Sequence, residues 1–442
     1  MTDGFDLLIR GGLCVLPSGI HAANVGIRDG KIAEIGCSAE AKAQQVIEAK
    51  GLHVLPGVID TQVHFREPGN EHKEDLSTGT ASAALGGVTA VFEMPNTNPL
   101  TDSAEALADK CRRAKDRVWT DIAFFMGATP ENADRLSELE RLPGCCGIKM
   151  FMGSSTGNLL VSEDADVARV CANGTRRMAI HCEDEHRLIE RQPITEGASV
   201  HAHPEWRDPE TAFRATRRLI GFARATKRRV HVLHVTTAEE MGFLKDHRDL
   251  ATVEVTPQHL TLEAPDCYDR IGTRAQMNPP IRDRLHREAL WRAIEQGLVD
   301  VIGSDHAPHT LEEKAKPYPK SPSGMPGVQT LVPLMLNHVN EGRLSLERFV
   351  DLVCHGPNRI YQIAGKGRIT IGYDADFTLI DLKMRRTITD LWSATRSGWT
   401  PFDGMTVRGW PIMTVIRGNV VMREGQLEGE PQGTAVRFQE CL

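Results

Sequence analysis

The sequence predicts an α/β protein in which a (β/α)8 TIM-like barrel carries a small composite β-sandwich domain formed by both termini. In the middle of the chain, short apolar or β-branched runs alternate with helix-like segments such as HKEDLSTGTASAALGG and DSAEALADKCRRAKDR. There are eight such runs, and eight parallel strands close a barrel of this kind. The runs lie at residues 53–59, 88–94, 120–127, 145–152, 177–182, 229–235, 251–256 and 298–304.

The two ends of the chain differ in pattern from the middle. Segments such as ANVGIRDGKIAEIG and MTVRGWPIMTVIRGNVVMREGQ alternate apolar and polar positions, and D-G and G-K pairs between them indicate hairpin turns. No low-complexity run or charge block separates the ends from the middle. We therefore predict that residues 1–55 and 366–442 together form the β-sandwich, around a barrel of residues 56–365.

Composition excludes several classes of protein. The 442 residues are 40% hydrophobic and carry a net charge of -7, which argues against a nucleic-acid-binding surface. No apolar stretch reaches the length of a membrane span and the N-terminus lacks a signal-peptide core, so we expect no membrane association and a cytoplasmic location. The ten cysteines lack paired C-x-x-C spacing and are expected to be reduced and buried.

Polar side chains follow most of the eight runs. The runs contain or lead into DTQVHFREPG, EMPNTNP, GIKMFMG, AIHCED, HVLHVTT, EVTPQHL and VIGSDHAPH. In a barrel the carboxyl ends of the strands converge on one face, where active sites are built. A single histidine at a strand end is usually a packing or capping residue, but the joint pattern predicts one site on this face.

The ordered motifs PGVIDTQVHFREPG, EMPNTNP, IKMFMG, HVT and SDHAPH resemble the cyclic-amide branch of the amidohydrolase superfamily, and within it the long-form dihydroorotases. The resemblance covers essentially the whole chain. It implies reversible, zinc-dependent hydrolysis of (S)-dihydroorotate to N-carbamoyl-L-aspartate in pyrimidine (UMP) biosynthesis. We also expect a homodimer and a possible association with aspartate transcarbamoylase.

Four residues are predicted to hold one or two zinc ions. His64 is a natural ligand from the first strand, His181 and His234 supply imidazoles of the type that zinc favours, and Asp305 adds a carboxylate. The resemblance also implies a catalytic role for Asp305, which would accept a proton from the attacking hydroxide and pass it to the departing amide nitrogen.

Lys149 lies inside an apolar strand, although an ammonium group cannot bind a cation. By resemblance it is N6-carboxylated, and the resulting carbamate bridges two metal ions. The alternative is a lysine in a salt bridge, which would need a buried partner.

Gln62 departs from the family pattern, because the first strand usually carries His-x-His and this chain has Gln62-Val63-His64. An amide carbonyl is a weaker zinc ligand than imidazole. The more exposed metal could bind through fewer protein ligands plus Gln62, it could bind weakly, or the site could work with one metal. A fourth alternative is a catalytically inactive relative.

Substrate recognition is predicted to depend on a cation, because dihydroorotate carries a carboxylate. Arg66, two residues beyond His64, can reach the pocket and form a bidentate pair. By resemblance, Arg66, Asn96 and His309 bind the carboxylate and Asn278 fixes the ring. The alternatives are an ion pair between Arg66 and Glu67, and a turn role for Asn96.

The segment TLEEKAKPYPKSPSGMPGVQT is predicted to form a loop over the site, with S-G-M-P-G presenting backbone groups to the ring and its lysines in solvent. His259 could lie next to the ligands or be structural. Two alternative functions stay open: an allantoinase or other cyclic amidase, and a non-catalytic subunit that scaffolds aspartate transcarbamoylase. MPNT, DHAPH and REPG favour the dihydroorotases over the neighbouring branches, whereas Gln62 keeps the scaffold alternative open.

Overall fold

Two sheets organise the fold in the computed structural model, which describes residues 4–155 and 157–439. The first five strands come from the N-terminal end of the chain: β1 (Phe5–Leu16), β2 (Gly19–Arg28), β3 (Lys31–Ile35), β4 (Ala43–Glu48) and β5 (His53–Pro56). The barrel strands follow: β6 (Val58–Val63), β7 (Val88–Glu93), β8 (Asp121–Gly127), β9 (Cys145–Phe151), β10 (Met178–His181), β11 (Val230–Val232), β12 (Ala251–Val255) and β13 (Val301–Ile302). The last four are β14 (Phe377–Thr387), β15 (Thr406–Ile416), β16 (Asn419–Arg423) and β17 (Gln426–Leu427).

The barrel is an eight-stranded parallel sheet in which β6 to β13 neighbour one another in chain order. A short parallel bridge between Val63 and His306 joins its two edges, and the His64 amide donates to the His306 carbonyl at 2.7 Å. The predicted barrel is therefore confirmed. Its closure brings the residues that follow the first strand next to those that follow the last.

Helices lie between the strands and after the barrel. They are α1 (Leu76–Leu85), α2 (Ala104–Ala114), α3 (Leu136–Leu139), α4 (Asp164–Ala172), α5 (Glu185–Arg191), α6 (His203–Trp206), α7 (Pro209–Thr226), α8 (Ala238–Leu244), α9 (Pro257–Thr261), α10 (Asp266–Ile271), α11 (Arg284–Glu295), α12 (Leu311–Lys314), α13 (Leu331–Asn340), α14 (Leu346–Val350) and α15 (Gly356–Tyr361). Asp75, Ser103, Asp208 and Asp283 cap α1, α2, α7 and α11 by accepting from backbone amides of the first turn.

The ends of the chain pair into one nine-stranded sheet, as the hairpin pattern predicts. Antiparallel pairing of β5 with β14 joins the N-terminal strands to the C-terminal ones, with Val54 opposite Leu379. Apolar side chains from both ends form the core of this sheet, among them Leu7, Ile9, Val25, Phe377, Leu379 and Val415. The residue limits of the two parts stay a prediction.

The prediction of one strand at residues 53–59 is wrong, because this run contains parts of two strands. Residues 53–59 are not a single barrel strand, because β5 belongs to the nine-stranded sheet and the barrel starts with β6. Gly57 lies between them, where a Cβ atom would come within 2.3 Å of Thr89 Oγ1. Both strands are buried, so the run is apolar throughout and its pattern does not reveal the change of sheet.

The helices and the cysteines bear on two further predictions from the sequence. Within residues 4–155 and 157–439, none of the helices combines the length and hydropathy that a membrane span needs. The nine cysteines of this part of the chain are free, and eight of them are buried.

Candidate active site

A narrow pocket opens at the carboxyl ends of the barrel strands. Most of the residues predicted for the site line it, and they come from strands far apart in sequence. The lining residues are Gln62, His64, Arg66, Asn96, Phe151, Ser155, His181, His234, Asn278, Asp305, Ala307, Ser323 and Gly324. Phe151, Ser155 and Ala307 were not predicted; Phe151 lies within the GIKMFMG motif, Ser155 follows it, and Ala307 lies within DHAPH.

The first and last strands meet at Asp305. Its Oδ1 atom lies 3.2 Å from His64 Nε2 and accepts a hydrogen bond from Gln62 Nε2 at 3.1 Å. The Nδ1 atom of His64 lies 2.7 Å from Asn96 Oδ1, so this nitrogen carries the proton and Nε2 presents a lone pair to the pocket. The side chains of Gln62, His64 and Asp305 thus converge on one point.

A second pair of nitrogen atoms lies at the carboxyl ends of neighbouring strands, where His181 ends β10 and His234 follows β11. His181 Nδ1 and His234 Nε2 are 3.1 Å apart. His181 Nε2 lies 2.8 Å from a carboxylate oxygen of Glu183, which is also paired with Arg207. Although burial opposes it, Arg207 and His181 hold the pKa of Glu183 at about 2. Ionised Glu183 accepts the proton on Nε2, which leaves the Nδ1 lone pair of His181 facing His234.

Lys149 lies on β9, is fully buried and does not line the pocket, but its charge adds to burial in lowering the pKa of His64, His181 and His234. Its Nζ has no hydrogen-bond partner among the described residues and lies 4.2 Å from the centroid of the Phe151 ring. Burial lowers the pKa of Lys149 to about 7. The predicted alternative of a salt-bridged lysine therefore has no support here, and a neutral amine is available for chemistry near neutral pH.

The arrangement fits metal ions only if a further donor is present. In the described part of the chain, no three His, Cys, Asp or Glu side chains are arranged to hold a metal. Each pair instead brings two ligand atoms 3.1 to 3.2 Å apart, close to the ~3.3 Å between two ligands bound at ~2 Å on a tetrahedral zinc. A carbamate on Lys149 would supply the missing donor to both pairs, and the unpartnered amine fits that role.

Arg66 forms the cationic wall of the pocket. Its guanidinium is buried, donates from Nε to the Pro308 carbonyl at 3.2 Å and forms no ion pair among the described residues. Glu67, the predicted alternative partner, pairs with Arg117 instead. Burial lowers the pKa of Arg66 to about 10, and Asp305 and other nearby carboxylates oppose this shift, so the group stays charged at neutral pH although it forms no direct ion pair in the described part of the chain.

His309 is brought to the site but does not line the pocket. It is fully buried behind Arg66, with Nε2 3.3 Å from an Arg66 nitrogen and 3.0 Å from the Ser323 carbonyl. The predicted direct contact of His309 with a carboxylate stays a prediction.

Asn278 also lines the pocket. Its amide donates to Ser155 Oγ at 3.2 Å, and its carbonyl lies 3.1 Å from His203 Nε2. His259 does not line the pocket: its Nε2 lies 3.0 Å from the Pro279 carbonyl and Nδ1 2.8 Å from Thr256 Oγ1. His259 therefore supports the segment that carries Asn278.

The loop after the last strand differs from the prediction at one lysine. Lys314 is buried rather than solvated, and its ammonium group donates to the carbonyls of Gln276, Pro322 and Gly324 at 2.8–3.0 Å. Ser323 and Gly324 reach the pocket as predicted. Gly324 has φ +135°, and a Cβ atom there would come within 2.4 Å of the Ala307 carbonyl oxygen, so the loop needs glycine at this point.

Comparison with known proteins adds to this geometry. The model of the amidohydrolase family matches residues 53–421, and a dihydroorotase of Pyrococcus furiosus is 37% identical over 418 residues, which span 93% of this chain and 92% of that protein. The chain belongs to the amidohydrolase family. A dihydroorotase of Halalkalibacterium halodurans is 34% identical and spans 95% of this amidohydrolase and 99% of its own length.

Solved structures agree with the fold of this amidohydrolase. The L-hydantoinase (dihydropyrimidinase) from Arthrobacter aurescens superposes with a TM-score of 0.93 at 29% identity, covering 98% of this chain and 99% of the other. The dihydropyrimidinase from Brevibacillus agri has a TM-score of 0.88 at 26% identity, with 97% of each chain covered. The fold is thereby shared with proteins described as a hydantoinase and as a dihydropyrimidinase.

Proposed function

We propose that this amidohydrolase is a dihydroorotase, which hydrolyses (S)-dihydroorotate reversibly to N-carbamoyl-L-aspartate in pyrimidine biosynthesis. Similarity to dihydroorotases along nearly the whole chain supports this. The observation that carries the proposal is Arg66, a buried guanidinium with no ion pair among the described residues, in the wall of the pocket that also contains His64 and Asp305. A buried cation that forms no ion pair within the protein favours a substrate that carries a negatively charged group.

The proposed metal ligands are the two pairs with Lys149 between them. His64 and Asp305 would hold one zinc, His181 and His234 a second, and Lys149, carboxylated on Nζ, would bridge them. Bound zinc would polarise an amide carbonyl and lower the pKa of a water molecule. Because carboxylation requires a neutral amine, the depressed pKa of Lys149 favours the modification near neutral pH.

The remaining side chains would orient the substrate and move the proton. Arg66, Asn96 and His309 are proposed to bind the carboxylate, and Asn278 to fix the ring. Asp305 would accept a proton from the attacking water and deliver it to the departing ring nitrogen as the amide bond breaks. The reverse reaction would use the same groups, since both directions share one transition state.

Gln62 bears on the number of zinc ions. Its Oε1 has no hydrogen-bond partner among the described residues, so rotation of the amide could present this oxygen to the His64–Asp305 position. An amide oxygen binds zinc more weakly than imidazole. We expect two classes of zinc in a chelator titration, the weaker one at this position, and Gln62→His should tighten only that class. A single class in both proteins would instead support a one-metal site.

The assay that tests the function measures bound metal by elemental analysis and ring closure of N-carbamoyl-L-aspartate. Turnover by the zinc-loaded protein would support the proposal. A folded, metal-free and inactive protein would overturn it in favour of the scaffold function that Gln62 keeps open. Hydrolysis of allantoin without activity on dihydroorotate would move the chain to a neighbouring branch.

Three further statements stay predictions: the homodimer, the association with aspartate transcarbamoylase and the cytoplasmic location. Size measurement of the purified chain, alone and mixed with aspartate transcarbamoylase, tests the first two.

A further inference from the structure

A cluster of three side chains lies behind Arg66, outside the pocket lining. Lys73 Nζ is 3.2 Å from His309 Nδ1 and 3.1 Å from a carboxylate oxygen of Glu313. Glu313 belongs to α12, whereas Lys73 lies before α1 in the segment REPGNEHKED. The cluster therefore joins the loop after the first barrel strand to the loop after the last one.

The partners of the His309 ring determine its tautomer. An ammonium group can only donate hydrogen bonds and a carbonyl oxygen can only accept them. Nδ1 faces the ammonium group of Lys73 and must present its lone pair, while Nε2 faces the Ser323 carbonyl at 3.0 Å and must carry the proton. The opposite tautomer would satisfy the contact with Arg66, at 3.3 Å, and a longer contact between Nδ1 and a carboxylate oxygen of Glu313, at 3.7 Å.

The cluster affects the hydrogen-bond pattern of the His309 ring more than the net charge near the pocket. Glu313 lies beside the ammonium group of Lys73 and compensates it, so the pair adds little net charge to the pocket. Burial lowers the pKa of His309 to about 3, which keeps the ring neutral and makes the choice of tautomer meaningful. Without Lys73, Nδ1 would face the Glu313 carboxylate, 3.7 Å away, which favours a proton on Nδ1 and competes with the Ser323 carbonyl at Nε2.

The proton on Nε2 points toward the end of the pocket where Arg66 lies. Ser323, whose carbonyl accepts it, lines the pocket, and the same nitrogen is 3.3 Å from the guanidinium. A carboxylate that pairs with Arg66 would arrive beside this N–H group. It could therefore take the hydrogen bond from the Ser323 carbonyl.

We propose that Lys73 is a positioning residue, which fixes His309 as the tautomer with its proton on Nε2 so that the histidine can donate to the substrate carboxylate. This inference rests on the proposed function, because it presumes a substrate with a carboxylate next to Arg66. Lys73 itself touches neither the pocket nor the metal ligands.

Steady-state kinetics of the zinc-loaded enzyme test the role of the contact. Lys73→Met should raise KM for dihydroorotate about tenfold and leave kcat within twofold, since a hydrogen bond to a charged group is lost from binding. Lys73→Arg keeps donors and charge and should recover most of the loss. The matched control is Lys316→Met, which removes one positive charge from an exposed position nearby and should change KM less than twofold.

Equal effects of Lys73→Met and Lys316→Met would overturn the inference, because the residue would then act only through its charge. Wild-type enzyme without activity on dihydroorotate would overturn the proposed function instead. Wild-type activity with an unchanged KM in Lys73→Met would overturn this inference alone.

Nitrogen-15 NMR of histidine-labelled holoenzyme supplies a readout that does not depend on activity. His309 is assigned by its loss in His309→Asn. We expect a protonated Nε2 and an unprotonated Nδ1 in the wild type, and a mixture of tautomers in Lys73→Met. A wild-type spectrum with the proton on Nδ1 would overturn the inference.

Discussion

Two buried lysines at opposite ends of the barrel differ in what surrounds their ammonium groups. Lys149 lies near the carboxyl end of β9 without a hydrogen-bond partner among the described residues. Lys366 lies at the amino end and contacts the carboxylates of Asp121, Asp374 and Asp376 at 2.5–3.0 Å. Burial lowers the pKa of Lys149 to about 7, whereas at Lys366 the three carboxylates outweigh burial and raise the pKa.

The difference separates a structural cation from a reactive one. Lys366 joins the first residue of β8 to the segment that leads into β14, so its charge holds the two sheets together. Lys149 forms neither a hydrogen bond nor an ion pair among the described residues, and its amine is proposed to be carboxylated. Arg66 likewise forms no ion pair in the described part of the chain, but it stays charged and is proposed to receive its anion from the substrate.

The largest expected effect is on activity. Lys149→Met should lower kcat by about 10³-fold or more, because the carbamate that would complete both metal pairs is lost along with several kcal/mol of charge stabilisation. Bound zinc should fall in parallel, as measured by elemental analysis. Full activity with normal zinc content would show that Lys149 is an ordinary core residue.

Lys366→Met should lower stability and leave activity unchanged, in contrast to Lys149→Met. Removing the cation leaves three carboxylates close together in a buried place, so the free energy of unfolding should fall by about 3–5 kcal/mol in urea denaturation. The activity per folded molecule should be unchanged. Lys31→Met is the control, because this half-exposed lysine contacts Asp374 only and should cost less than about 1 kcal/mol. Similar losses for both variants would contradict a special role for Lys366.

Arg66→Met should raise KM for dihydroorotate about 10²-fold, the effect of removing one partner from a buried charge pair. Zinc content should stay at the wild-type level, since Arg66 is not among the proposed ligands. Calorimetric titration with N-carbamoyl-L-aspartate checks the affinity directly. Retained affinity would show that the carboxylate binds elsewhere in the pocket.

The most gradual effect, small at any one pH step, is a pH dependence of stability in metal-free protein. Between pH 7 and about 10, the unfolded chain keeps the proton on Lys149 and the folded chain does not, so unfolding takes up a proton. As the pH increases from 7 to about 10, the free energy of unfolding of the wild type should therefore rise relative to that of Lys149→Met, by up to about 1.4 kcal/mol per pH unit. Below pH 7 the difference between the two proteins should stay constant. A difference that is constant from pH 7 to 10 would place the pKa of Lys149 in its ordinary range.

The sequence predicted the barrel and most of the pocket because both depend on local patterns. The eight runs contain or adjoin the barrel strands, and Gln62, His64, His181, His234 and Asp305 follow or end four of them. The run at 53–59 was misread because β5 and β6 are both buried and Gly57 between them is the only sign of the turn. Strand β13 has only two residues, fewer than its run suggests, since Asp305 at φ 44° leaves the extended conformation.

Residues that act through distant partners could not be assigned from the sequence. Lys314 appeared as one lysine of a polar loop, and its burial against three carbonyls depends on how that loop folds over Gln276. The same holds for Lys73, which stands in a charged segment with no pattern of its own and reaches His309 from 236 residues away.

By itself, therefore, the sequence determined the fold class, the face of the barrel that carries the site and the types of side chain brought there, because strand periodicity and strand-end chemistry are local properties. Only the tertiary structure decided which buried cations form no direct ion pair with a carboxylate. The charge state of a buried group depends on every element packed around it, and Lys149, Arg66 and Lys366 differ in their neighbours rather than in their residue types.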